Sequence, residues 1–173
     1  MFCQTPRQPK PWLVHRHGGQ RVFAVHSEKK GDPKPCASCY HTFMQMNAQK
    51  LGSKFDLKLV LANWKSHKTL DEGMHWLAKV GPKVSASPYS VILCPPFPFL
   101  SALYSEIQAK KYAVVLGVQD LSPFPAGSYT GAISVRNLEG LGVAYALLGH
   151  SERRRYFHET CQEVANKVDL AIE

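Results

Sequence analysis

The fold is constrained most by a regular alternation of short apolar runs and helix-like segments that begins at Phe55. The apolar runs cover residues 57–62, 90–94, 113–119 and 143–149. Each run is followed by apolar residues spaced as on one face of a helix. The pattern predicts the order β-α-β-α-β-α-β-α, which favours an α/β fold with right-handed crossovers and a parallel sheet covered on both faces.

The helix boundaries are predicted from local signals in the sequence. Residues 69–72 and 160–163 have the Thr-x-x-Glu spacing of a capping box, which marks the start of a helix. We expect Gly81 and Pro82 to end the first helix. Apolar residues within 135–141 predict a short third helix.

The size and composition of the chain fit one folded domain. The 173 residues are 45% hydrophobic, which is normal for a globular protein and too high for a disordered one. No apolar run approaches the ~20 residues of a membrane span, and the N-terminus lacks the apolar core of a signal peptide. We therefore expect a soluble protein without a membrane partner.

The positive charge of the chain is concentrated near its N-terminus. The net charge is +8, and residues 1–55 hold 9 basic and 2 acidic side chains, a net of +7. Residues 56–173 hold 12 and 11, a net of +1. Because this second part is nearly balanced, we expect no nucleic acid partner.

Residues 1–55 are predicted to form a basic, non-globular leader, separate from a folded unit at 56–173. They contain five prolines and no sustained apolar periodicity. One interpretation is translation upstream of the true start, with Met44 or Met46 beginning the protein. Another is an organellar targeting segment, because the leader is basic and poor in acidic residues.

A third interpretation of the leader is a small zinc site. Cys36, Cys39 and His41 have ligand-type spacing, with Cys3 or His15 as further candidates. A paired second half at standard spacing is not visible. The odd number of five cysteines favours a reducing compartment over a set of disulfides.

Polar side chains follow the predicted strands, where parallel α/β proteins place their chemistry. Asn63 and Lys65 follow the first strand, and the lysine is suited to neutralise a phosphate or a developing oxyanion. His150 follows the fourth strand. A helical turn starting at Ser151 would disfavour protonation of that imidazole, and Glu152 would lie within reach of Lys65.

Three segments together resemble the triosephosphate isomerase family. They are "ANWK" at 62–65, "GSYTGAIS" at 127–134 and "LLGHSERRRYF" at 147–157. The resemblance covers roughly residues 56–173 and implies the first four βα units of a (β/α)8 TIM barrel. The barrel would be incomplete, because the family has eight such units.

The resemblance implies the activity and its residues. The family interconverts dihydroxyacetone phosphate and glyceraldehyde 3-phosphate through an enediolate, without a cofactor or metal, in glycolysis and gluconeogenesis. By resemblance, His150 polarises the substrate carbonyl, Lys65 supports the phosphate and the enediolate, and Asn63 lines the substrate site. Glu152 is similar to the family's carboxylate that holds the lysine.

The resemblance also implies a homodimer. Gln119 and Thr130 match positions where the family's long third loop enters the neighbouring subunit. Arg153 matches an arginine that pairs across that interface. The glutamate that usually follows "TG" in the family is replaced by Ala132, so one interface ion pair is expected to be missing.

The family's glutamate base has no counterpart in this sequence, since it follows the sixth strand. We therefore expect a fragment that is inactive alone, cytoplasmic by family, or organellar if the leader is a targeting segment. An alternative is a non-catalytic half-barrel that acts by binding a partner.

Overall fold

The structure, a computed structural model, describes residues 12–15, 21–24, 59–87 and 89–172. Its strands are β1 (Trp12–His15), β2 (Arg21–Ala24), β3 (Leu59–Asn63), β4 (Ser90–Cys94), β5 (Val114–Val118) and β6 (Val143–Leu148). Its α-helices are α1 (Leu70–Val84), α2 (Leu100–Lys110), α3 (Ser151–Tyr156) and α4 (Cys161–Ile172). Two short 3₁₀ helices cover Phe97–Phe99 and Val135–Leu138.

The strands form one sheet in the order β1-β2-β6-β5-β4-β3. Neighbours from β3 to β6 are parallel, so their carboxyl ends lie along the same edge of the sheet. The register shifts between Leu116 and Gly117, where β5 meets β6. The predicted α/β fold with four parallel strands and alternating helices is confirmed.

The two faces of the sheet bury different apolar clusters, because successive strand residues point to opposite faces. On β4, Val91 and Leu93 belong to the larger cluster, which includes Leu77 of α1 and Leu103 of α2. Ile92 belongs to a smaller cluster on the other face, with Cys94 and Tyr145. Burial on both faces explains why these strands are apolar throughout.

The capping boxes start two helices as predicted. At α1, the N–H of Thr69 donates to Glu72 Oε2 at 2.7 Å, and the N–H of Glu72 donates to Thr69 Oγ1 at 3.3 Å. At α4, the N–H of Thr160 donates to Glu163 Oε2 at 2.7 Å. Each glutamate thus satisfies an N–H that the first helical turn leaves unpaired.

The predicted end of α1 is wrong, because the helix continues past Gly81 and Pro82 to Val84. The N–H and the hydroxyl of Ser85 both donate to the carbonyl of Gly81 at 3.4 Å. Gly81 packs so closely on Tyr112 that an added Cβ would lie 2.5 Å from the ring. Tertiary packing and this cap outweigh the single bond that the proline removes.

The third helix is shorter than predicted and has 3₁₀ geometry. It covers Val135–Leu138, with Ser134 as its N-cap. It ends at Glu139, whose ψ of 135° is not helical. Leu138 is buried at its end. A segment this short and followed by glycines favours the tighter 3₁₀ turn.

Two strands lie within the leader, where the sequence predicted none. Strand β2 pairs with β6 in parallel, and β1 pairs with β2 in antiparallel fashion. Both strands have only four residues, too few for the periodicity that marks an element in a sequence. None of the helices in the described part of the chain is long and apolar enough to cross a membrane.

Candidate active site

The site lies at the carboxyl edge of the parallel strands. Strand β3 ends at Asn63, and the chain continues through Trp64 to Lys65. Strand β5 ends one residue before Gln119, and β6 ends two residues before His150. The parallel sheet therefore brings to one edge side chains that are far apart in the sequence.

Lys65 is held in a backbone conformation that non-glycine residues rarely adopt. Its φ is 53°, in the left-handed region. Its N–H donates to Asn63 Oδ1 at 3.0 Å, and its carbonyl accepts a bond from Gln119 Nε2 at 2.9 Å. Gln119 Nε2 also donates to the Cys94 carbonyl at 3.0 Å. These three strand ends together fix a strained residue, which is typical of functional sites.

The side chain of Lys65 pairs with Glu152 across the edge of the sheet. Lys65 Nζ donates to Glu152 Oε1 at 2.5 Å, joining the end of β3 to the first turn of α3. The two side chains are 43% and 42% exposed. The contact predicted from the sequence is present, and it directs the ammonium group over the strand ends while leaving it accessible to a ligand.

His150 caps the N-terminus of α3 with its own side chain. Its Nδ1 accepts a hydrogen bond from the Glu152 N–H at 3.2 Å, and its carbonyl accepts from the Arg153 N–H at 2.9 Å. Glu152 Oε2 lies 3.6 Å from Nδ1, too far for a good hydrogen bond. A ring whose Nδ1 accepts is a neutral imidazole with its proton on Nε2.

The imidazole is also placed to meet a ligand. Its side chain is 20% exposed, at the same edge of the sheet as Lys65. The turn before it contains Gly149 at a φ of 67°, where an added Cβ would lie 3.2 Å from Val164. A neutral imidazole oriented by a backbone hydrogen bond is able to donate its Nε2 proton in a hydrogen bond to a carbonyl oxygen. It polarises that oxygen without being positively charged itself.

Four charged side chains form a cluster next to the site, at the end of β5 and on and after α3. Arg153 Nη2 lies 2.8 Å from Asp120 Oδ2, and Lys167 Nζ lies 2.7 Å from Asp120 Oδ1. Glu159 also pairs with Lys167, and its Oε1 lies 3.3 Å from Arg153 Nε. The Glu159 and Lys167 side chains are only 3% and 4% exposed.

Burial sets the titration of groups near this cluster. Burial raises the pKa of the Asp120 carboxyl, and the hydrogen bond and charge of Lys167 act against that rise. Burial also raises the pKa of the Cys94 thiol to about 12, so Cys94 is unsuited to act as a nucleophile. Glu159 Oε2 accepts no hydrogen bond from the described residues.

Two of the three residues predicted at a subunit interface, Gln119 and Arg153, make contacts within the chain. Gln119 holds the site backbone, and Arg153 pairs with Asp120 and Glu159. Thr130 is exposed in the loop that follows β5. That loop is closed at its base, where the Ser122 N–H donates to the Ile133 carbonyl at 2.8 Å. An interface role for these residues stays a prediction.

A cavity of about 360 Å³ lies between this loop and the charged cluster. Ala132, Arg153 and Phe157 are among its lining residues. Ala132 and Arg153 therefore line one cavity of this chain, in which Arg153 pairs with Asp120 and Glu159.

The candidate zinc ligands Cys36, Cys39 and His41 lie outside the described residues, as do Cys3, Met44 and Met46. Within the described ranges, no group of three metal-ligating side chains is close enough to hold a metal ion.

Sequence reasoning missed two features of the site. It assigned Gln119 only to an interface, although a glutamine directly after a buried strand is suited to bind neighbouring carbonyls. It also gave Lys167 no role. This lysine lies on the apolar face of α4 between Val164 and Ala171, and a lysine on such a face needs a buried carboxylate partner.

Comparisons with known proteins agree with this geometry. A model of the family "Triosephosphate isomerase" matches residues 58–173. The triosephosphate isomerase of Clostridium botulinum (strain Loch Maree / Type A3) is 38% identical over 115 residues, which are 66% of this chain and 46% of that protein. That of Symbiobacterium thermophilum is 40% identical over 116 residues, 66% and 44% of the two chains.

A solved structure shows the same likeness. The crystal structure of triosephosphate isomerase from Bartonella henselae matches with a TM-score of 0.60 and 29% identity, covering 66% of this chain and 46% of that one. The chain spans less than half the length of these relatives. The fold, the motifs and the family match agree, and the chain belongs to the triosephosphate isomerase family.

Proposed function

We propose that residues 58–173 supply the carbonyl-polarising part of a triosephosphate isomerase site. The reaction would interconvert dihydroxyacetone phosphate and glyceraldehyde 3-phosphate through an enediolate, as in glycolysis and gluconeogenesis. The observation that carries the proposal is the His150 imidazole, whose Nδ1 accepts the Glu152 N–H at the same sheet edge as the Lys65 ammonium. The family membership of the chain supports the choice of substrate.

His150 acts as the electrophile in this proposal. Removing a proton from the carbon beside a carbonyl places negative charge on the carbonyl oxygen. An N–H donor that is already oriented stabilises this charge without reorganising during the reaction. The bond from the Glu152 N–H to Nδ1 supplies that orientation and favours the tautomer with a donor at Nε2.

Lys65 acts as the positive charge that faces the phosphate and the enediolate. Its left-handed backbone is held by Asn63 and Gln119, so the side chain leaves the strand end in a fixed direction. Glu152 positions the ammonium group through the 2.5 Å contact. Asn63 contributes to the substrate site through the same turn.

The proton-abstracting base is a group that residues 58–173 do not supply in this proposal. Glu152 contacts the site, but it is committed to the ammonium group of Lys65. A carboxylate in an ion pair is a weaker base than one held apart from cations. The polypeptide of residues 1–173 is therefore proposed to be inactive on its own, and cytoplasmic by family.

The dimer of the family is proposed for a complete barrel that contains these residues. Thr130 at the exposed loop would enter the neighbouring subunit, and Arg153 and Gln119 would lie beneath it. Ala132 removes one ion pair from that interface. Because such rim pairs contribute only about 0–1 kcal/mol, the dimer would persist without it.

A chimera tests the proposed function. Residues 58–173 replace the matching part of the Clostridium botulinum relative, so that the rest of the barrel comes from an established member of the family. We expect the chimera to interconvert the two triose phosphates. His150→Gln should lower kcat by about 100-fold or more, because the oriented donor acts mainly in the transition state.

The matched control is His75→Gln, which changes an exposed histidine on α1. It should leave kcat unchanged. Circular dichroism and the thermal midpoint must show that each protein is folded. A folded chimera without isomerase activity, or one whose activity survives His150→Gln, would contradict the proposal.

A further inference from the structure

The N-terminal strands lie beside the last parallel strand of the sheet. Strand β2 pairs in parallel with β6, with Phe23 opposite Leu147 and Ala24 opposite Leu148. Strand β1 then covers the outer side of β2, with Trp12 opposite Ala24 and His15 opposite Arg21. The carboxyl end of β6, two residues before His150, is thus paired with the chain's own N-terminal segment.

The position of β2 is the one that a fifth barrel strand would take. In a (β/α)8 barrel, each strand pairs in parallel with the next one along the chain. Strand β6 is the fourth parallel strand of the family fold, and one of its sides pairs with β5. Its other side is the place of the next strand, and β2 lies there in the parallel orientation.

The sequence of the N-terminal strands suits this place. Both strands, WLVH and RVFA, contain β-branched or aromatic residues that favour extended structure. Gly18 and Gly19 lie between them, as is typical of a hairpin connection. Strand β2 also contacts α4, the helix that follows the site.

We propose that the β1–β2 hairpin is an edge cap, which occupies the place of a fifth barrel strand and keeps other strands off β6. An uncovered strand edge offers unpaired N–H and C=O groups to any further strand, including one from a second copy of the chain. A short hairpin of the same chain occupies this edge at Leu147 and Leu148 at high local concentration. This inference depends on the family fold and not on the isomerase chemistry.

Hydrogen exchange of the unaltered polypeptide of residues 1–173 tests the contact. Among the described strands, β3 lies at the opposite end of the sheet and serves as the internal comparison. Leu147 and Leu148 are consecutive, so one of their two amides faces β2 and the other faces β5. The amide that faces β2 should exchange at least about 10-fold more slowly than the amides of β3 that face away from β4. If both edges exchange equally fast, the edge cap does not exist.

A double variant tests the contact directly. Val22→Pro with Phe23→Pro removes two consecutive N–H groups, one facing each neighbour of β2. Exchange of the amide at Leu147 or Leu148 that faces β2 should accelerate by about 10-fold or more, while α1 and α2 stay protected. Val22→Thr with Phe23→Tyr is the matched control, because it keeps the N–H groups and the strand propensity. Unchanged exchange at Leu147 and Leu148 in the proline variant would overturn the proposal.

The proposed role needs one more measurement. Sedimentation velocity of the proline variant should show association that increases with protein concentration beyond that of the matched control. If exchange at Leu147 and Leu148 accelerates and the variant still associates no more than the control, the hairpin pairs with β6 but does not act as a cap. Activity of a barrel has no part in this test, so its outcome is separate from that of the proposed function.

Discussion

At the scale of single residues, two lysines in ion pairs show how burial changes the value of a charge. Lys65 and its partner Glu152 are 43% and 42% exposed. Lys167 and its partner Glu159 are 4% and 3% exposed. The first pair remains largely solvated, so it orients a side chain more than it stabilises the fold. The second pair is out of water, so the loss of one partner leaves a buried charge.

Replacing each lysine with methionine separates these two cases. Lys167→Met should lower the free energy of unfolding by about 3–5 kcal/mol, because Asp120 and Glu159 lose their shared cation. Lys65→Met should change it by no more than about 1 kcal/mol. Urea denaturation followed by circular dichroism measures both. Equal effects of the two substitutions would show that the charged cluster is not buried as described.

The charged residues of the site show which parts of it can be predicted from a sequence. Lys65 and His150 were predicted, because each follows an apolar strand within a recognisable motif. The position of Lys167 in an ion-pair cluster was not predicted, because its partners Asp120 and Glu159 are distant in sequence. They come together only when α4 packs near the end of β5 in the folded chain.

At the scale of elements, the capping boxes of α1 and α4 make the stability of the fold depend on pH. The backbone N–H of Thr69 lowers the pKa of the Glu72 carboxyl below its ordinary value of 4.5. The backbone N–H of Thr160 does the same for Glu163. A carboxyl with a lowered pKa in the folded state stabilises the fold above its unfolded pKa and loses this effect as the pH falls.

The variant with Glu72→Gln and Glu163→Gln tests this sign. Glutamine keeps an acceptor for the capping bond but does not titrate in this range. The unaltered chain should lose stability relative to the variant as the pH falls from above 4.5 through the lowered pKa values. Thermal midpoints over this range measure the difference. A difference that stays constant with pH would contradict the assignment.

Element boundaries were predictable where the signal is local. The capping boxes marked two helix starts correctly, since their hydrogen bonds join residues three apart. The end of α1 depends on packing between Gly81 and Tyr112, which are distant in sequence. Local reasoning therefore placed the stop too early. Gly142 also packs on a ring that is distant in sequence, because an added Cβ there would lie 2.1 Å from the Tyr104 ring.

At the scale of the whole molecule, four of the six strands belong to the part of the chain that matches the family. These four strands are parallel, and β3 and β6 are the outer two among them. The order of these strands followed from the sequence, because alternating strands and helices allow few other arrangements. The pairing of the leader with β6 did not follow. No sequence period links four-residue strands near the N-terminus to a strand more than 100 residues away.

The central proposal is that residues 58–173 supply the histidine and lysine of an isomerase site but not its base. A purified polypeptide of residues 1–173, assayed with both triose phosphates, tests it most directly. We expect no interconversion above the uncatalysed background, and an equal rate for His150→Ala. A clean turnover by the unaltered chain that His150→Ala abolishes would contradict the account, because a base would then lie within residues 1–173.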